Sequence, residues 1–205
     1  MSQATPLEAP ANRVDRRVQA FRAHVLACAE ALFAERGIEG TKIDDVCEAA
    51  DVAKRTLCNH FPTKSHLVEA LAHDAVSRLV TTVDEARESG DSTRARLEGL
   101  FEALRRRAAE LGPIHREFVG AFFGAAHGTA HATEGEIRVS DAIRALLAAG
   151  GPGELPPNAP IETFTEVVLG AIYSTTLEWI HRDDYDIEQR TRAIGAFLVG
   201  LLPNA

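Results

Sequence analysis

"TKIDDVCEAADVAKRTLCNHF", residues 41–61, holds two short helical patterns separated by about three residues. In the first, Ile43, Val46, Cys47 and Ala50 recur at helical spacing, and Thr41 stands where an N-cap belongs. "DVA" (51–53) reads as a tight turn. Asp51 falls where such a turn often needs a left-handed backbone, which Asp tolerates at some cost. The second pattern ends before Pro62, because the residue preceding a proline is biased away from helix. At about 100° per residue, Leu57 and Phe61 share one face while Arg55 and Asn59 point to the opposite one. Two helices of about two turns, joined this way, make a helix-turn-helix.

Working outward, the remainder also reads as helices with short punctuation. A first helix is expected from Asp15 to Arg36, striped by Val18, Phe21, Val25, Ala29, Leu32 and Phe33 and closed by Gly37. A long fourth runs from Thr63 to Ser89–Gly90, and a fifth opens at Asp91 or Ser92 and closes at Gly112–Pro113. A sixth starts at Pro113. A seventh, to about Ala149, has Thr133 and Glu136 at capping-box spacing. "GGPGELPPNAP" (150–160) is a loop. Helices over 161–182 and 187–202, the last capped by Asp186, finish the chain. No stretch alternates as a strand does. The expectation is an all-α protein of about nine helices: a lead-in at 1–12, a helix-turn-helix domain at 13–62 and a helical body at 63–205.

Composition narrows the function classes. Three cysteines, Cys28, Cys47 and Cys58, are odd in number and lack a CxxC spacing, which suits reduced thiols in a cytoplasm. "MSQATPLEAPAN" has no basic-then-apolar signal pattern. The longest apolar run, "AIGAFLVGLL" (193–202), falls short of the ~20 residues that span a bilayer. Net charge is −8, yet it is uneven. Residues 11–66 carry nine Lys/Arg against eight Asp/Glu, whereas 67–205 carry 13 against 21. An acidic body with a near-neutral head suits a protein that touches an anion at one end.

The longer stretch 25–71 resembles the DNA-binding domain of the TetR/AcrR family of bacterial transcriptional regulators, through "LFAERG", the Gly40–Thr41 helix start, "IDDV.EAA.V", "TL..HF" and "K..L". The resemblance implies an all-helical homodimer, usually a repressor that a small ligand releases from a palindromic operator. Arg55 and Asn59 are then the best placed to read base edges, Arg on guanine and Asn on adenine. Lys54, Thr56 and His60 flank them, and the amides at Thr41–Lys42 and Thr63–Lys64 are candidate phosphate clamps. The family often has Gly, Ser and Tyr where this chain has Asp51, Ala53 and Cys58. The Tyr typically contacts DNA backbone, so its loss shifts weight to Asn59, His60 and Lys64. Arg13, Arg16 and Arg17 suit either a phosphate- or minor-groove-contacting arm or a solvated helix start. Cys58 reads as a redox-sensitive thiol or a small filler.

Nine of the 12 aromatics lie after residue 100. His115, Phe118 and Phe122 share a helix face, which suits either an apolar pocket with a polar handle or an ordinary core. Together with the pocket that the resemblance implies, they nominate Phe101, Leu104, His115, Phe118, Phe122 and Tyr173 as lining for a largely apolar effector. Ala171, Thr175, Glu178 and Trp179 on one helix, with Ile194, Phe197, Leu198 and Leu201 on the next, are the candidate dimer face. Arg105–Arg107 reads as an exposed helix face. His127 and His131, near Glu134 and Glu136, suit a solvated loop or a metal or haem sensor, and no metal or cofactor is assigned. No nucleophile elbow, Cys/His pairing or phosphate loop points to an enzyme. The rival reading is a helical sensor or scaffold for a protein or cofactor, with a DNA-binding head that no longer works.

Overall fold

The computed structural model describes residues 13–110, 112, 115–117, 119–120 and 134–203. Helix α1 (Arg13–Gly40) buries Val25, Leu26, Ala29 and Phe33 along a single face. Gly37 breaks its path with φ 73°, a left-handed backbone that glycine enters without a Cβ clash. Helices α2 (Ile43–Ala49) and α3 (Lys54–His60) follow, and Val46, Ala50, Leu57 and Phe61 close this core from the opposite side. Each of the larger side chains contributes about 1.5–3 kcal/mol by leaving water.

The turn between α2 and α3 is made as its sequence suggests. Asp51 takes φ 53°, and the Val52 N–H reaches back to the Cys47 carbonyl at 3.0 Å. That bond closes a Schellman-type helix end. Thr41 departs from expectation. Its hydroxyl donates backwards to the Gly37 and Leu32 carbonyls, at 2.9 and 3.3 Å, and the residue is buried. It therefore seals the end of α1 where Gly37 bends the chain, and Lys42 takes the N-cap position of α2 instead.

The chain divides into two compact units between Leu67 and Val68, inside helix α4 (Lys64–Ser89). The second unit continues with α5 (Thr93–Glu110), α6 (Glu134–Ala148), α7 (Ile161–His181) and α8 (Ile187–Gly200). Its core joins Val83 of α4, Leu97, Leu100 and Phe101 of α5, Ile143 and Leu146 of α6, Phe164 and Val168 of α7 and Leu198 of α8. Gly195 lets α8 come close to α5: a Cβ there would lie 2.6 Å from Phe101 Cβ. Two caps fix the N-terminus of α5. Ser92 Oγ accepts the Ala95 N–H at 3.2 Å, and Glu154 from the 150–160 loop accepts the Thr93 N–H at 2.5 Å. Asp186 caps α8 as expected, accepting from Gln189 N at 2.9 Å.

The fold is all-α, with an N-terminal helix-turn-helix; among the described residues no strand occurs. Residues 115–117 and 119–120 are helical, within the span expected for the sixth helix. Phe118, Phe122, His127, His131 and the Thr133 cap lie outside the described residues. No helix among those described is long and apolar enough to cross a membrane.

Candidate nucleic-acid interface

Helix α3 turns Leu57 and Phe61 fully inward, and its register then leaves Arg55, Thr56 and Asn59 exposed. Arg55 and Asn59 stand one turn apart on that face. Neither side chain is used in an internal hydrogen bond or ion pair among the described residues. Arg can fork onto two acceptors and Asn can offer a donor beside an acceptor, so both keep their recognition capacity.

The flanking residues have further partners. Lys54 is ion-paired with Asp44 at the start of α2, Nζ to Oδ1 at 2.7 Å, with both side chains largely exposed. The hydrogen bond to Asp44 holds the Lys54 ammonium above its usual range. Lys64 reaches to the end of α1, donating to the Ile38 carbonyl at 2.7 Å and the Thr41 carbonyl at 3.4 Å. It thus ties the first turn of α4 to the loop before α2 and is half-buried. The Lys42 N–H goes to Asp45 Oδ2 at 2.8 Å and the Thr41 N–H to Ile38 O at 3.4 Å, so neither amide is left over for a phosphate. Thr63 Oγ1 is 2.8 Å from His66 Nδ1. The His60 ring packs on Phe21, centroids 4.7 Å apart, which leaves it half-buried.

Three positioning contacts of this head carry no signal in a linear reading. Arg22 lays its guanidinium 4.4 Å from the Phe61 ring centre and donates to the His60 carbonyl at 3.3 Å, bracing the last turn of α3. His24 Nε2 lies 3.2 Å from the Ala50 carbonyl. Asp44 holds Lys54. All depend on α1 and α2 being brought beside α3. The thiols of Cys28, Cys47 and Cys58 are free and half-buried, and burial followed by the Asp44 charge raises Cys47.

A family model described as "Bacterial regulatory proteins, tetR family" matches residues 25–71. The segment 25–71 is similar to the TetR-family DNA-binding head. The transcriptional repressor KstR2 of Mycobacterium tuberculosis is 32% identical over 92 residues, 45% of this chain and 46% of that protein. The repressor KstR of Mycolicibacterium smegmatis is 25% identical over 181 residues, 87% of each chain. The chain spans about half the length of the KstR2 relatives it matches. A TetR-family regulator from Pectobacterium atrosepticum superposes with a TM-score of 0.71 over 95% of this chain and 99% of that one, at 20% identity. That likeness is one of TetR fold.

The body of the chain disposes its candidate residues unevenly. Phe101 is in the core, while Leu104 and Tyr173 are half-buried. His115 is half-buried, and its Nδ1 accepts the Gly112 N–H at 3.0 Å. Among the dimer-face candidates, Thr175, Trp179 and Leu198 are buried within the subunit, and Ala171 and Ile194 pack against its core. The outward faces carry Val167, Gly170, Ser174 and Glu178 on α7, and Phe197 (66% exposed) and Leu201 (44%) on α8. Arg105 and Arg107 are half-buried, contrary to the exposed face expected of 105–107. Arg105 bridges Glu102 and Glu188, whereas Arg107 is drawn against α4.

Proposed function

We propose that the chain is a ligand-responsive transcriptional repressor that binds a palindromic operator as a homodimer in the cytoplasm. The carrying observation is the pair Arg55 and Asn59, free and outward on α3 while Leu57 and Phe61 hold the helix from behind. KstR2 and KstR, both named as repressors, support the direction of control. One recognition helix of seven residues spans too few base pairs for specificity, so two are needed. The exposed Phe197, Leu201 and Val167 are the apolar surface that a second copy would cover. Lys54 contributes a phosphate contact once it exchanges Asp44 for DNA, and Lys64 supports the head by tying it together. A small, largely apolar effector in the body releases the operator by altering the heads through α4.

The test is selection of bound sequences from a random DNA pool, followed by Arg55→Ala. Loss of a bidentate base contact costs about 1–3 kcal/mol in each half-site. The variant should therefore lose discrimination between the selected operator and scrambled DNA, with little change in the salt slope of nonspecific binding. Unaltered discrimination would remove the base-reading role of Arg55.

A further inference from the structure

Among the half-buried arginines of the body, Arg94, Arg96 and Arg107 donate to backbone carbonyls rather than to carboxylates. Arg105 and Arg116 answer carboxylates, the first Glu102 and Glu188, the second Asp183. Arg107 instead donates one Nη to the Arg78 carbonyl at 2.8 Å and to the Thr82 hydroxyl, both on α4. Burial and then the neighbouring Arg78 charge lower its affinity for its proton, while Glu85 and Glu110 act only from farther away. Arg138 of α6 reaches the same turn of α4, with Nη1 3.5 Å from Ser77 Oγ. Three helices thus bring three arginines to the stretch Ser77–Thr82, in the part of the chain that is strongly acidic overall. Among the described residues none of the three is within ion-pair distance of a carboxylate. A guanidinium oriented through one nitrogen keeps its other N–H groups as a fork, the shape that fits a carboxylate or phosphate.

We infer that the turn Ser77–Thr82 of α4, with Arg78, Arg107 and Arg138, receives an oxyanion, and that the effector is an amphiphile carrying a carboxylate or phosphate. The inference rests on the ligand-responsive reading above and deepens it by naming the polar end of the ligand. Such a group would offset the Arg78 charge that bears on Arg107. It would also join α4, α5 and α6 through one ligand, which gives binding a mechanical purchase on α4.

The probes are medium- and long-chain fatty acids, alkyl phosphates and the alcohols of equal length, titrated calorimetrically into the full chain. An acid or phosphate should bind about tenfold or more tightly than the matching alcohol, as expected for a charge-assisted fork. Arg107→Gln should abolish that preference and Arg107→Lys should restore part of it, while ligand-free operator affinity stays at the wild-type level. If Arg107→Gln fails to fold, the exposed Arg78→Gln and Arg138→Gln variants should each reduce the preference. Equal binding of acids and alcohols, a preference untouched by these variants, or no binding by any oxyanion probe overturns the inference. Operator release by the alcohols alone would leave the repressor reading standing while removing the anion site. Oxyanion binding by a chain with no operator preference would do the reverse.

Discussion

Gly195→Ala is expected to destabilise the body, although alanine is the better helix former. In an exposed helix interior the exchange gains about 0.5–1 kcal/mol. At Gly195 the new Cβ would sit 2.6 Å from Phe101 Cβ and 2.7 Å from Phe101 Cγ. Carbon atoms pack at about 3.5–4.0 Å, so the two helices must part by roughly 1 Å. A rotamer change does not help, because Phe101 Cβ is fixed to the backbone of α5. Overpacking of this kind costs about 1–3 kcal/mol, which at mid-range leaves a net loss of about 1 kcal/mol after the propensity gain. For a chain of this length that is a fall in Tm of about 2–4 °C, read by circular dichroism at 222 nm (roughly the helix band). Gly99 supplies the control. It is exposed on α5, nothing lies within 4 Å of its Cβ position, and Gly99→Ala should raise Tm by about 1–4 °C. A Gly195→Ala protein as stable as wild type would refute the close approach of α5 and α8.

Asp51→Gly should stabilise the head by about 0.5–1 kcal/mol in urea unfolding, because glycine removes the left-handed strain at φ 53° and returns only part of it as chain entropy. A loss of stability would mean that the Asp51 side chain itself secures the turn. The Thr93 N–H, which it accepts, holds the Glu154 carboxyl down at about 2. A depressed carboxylate contributes stability that is complete above its unfolded value, about 4.3, and disappears as pH falls towards 2. Glu154→Gln should therefore unfold earlier than wild type at pH 7 and lose less on acidification, and parallel pH profiles of Tm would contradict the cap.

Local chemistry was readable from the chain, and tertiary choices were not. Asp186 and Gly37 end helices by contacts or dihedrals confined to a few residues, and Asp51 bends its turn for the same reason. The face of α3 also followed from spacing, because a seven-residue helix with two large apolar side chains has one way to bury both. Thr41 shows the limit. Its type suits a cap, but the bend at Gly37 offers nearer acceptors behind it. On α7 and α8 nearly every face has apolar residues, so periodicity did not separate inward Trp179 and Leu198 from outward Phe197 and Leu201. Arg107 looked like its neighbours in an Arg-Arg-Arg run, and only the packing of α5 on α4 distinguishes it.

Trp179 is the single tryptophan of the chain, 4% exposed, with the Arg116 guanidinium 5.3 Å from its ring centre and that cation bound to Asp183. A cation held over an indole shifts its excited state, and movement of the cation alters emission. The body therefore carries its own optical gauge. Any event that pulls Arg116 from Asp183, or loosens the packing around α7, will register as a change in intensity or colour of one native fluorophore, with no label attached and no background from the DNA-binding head.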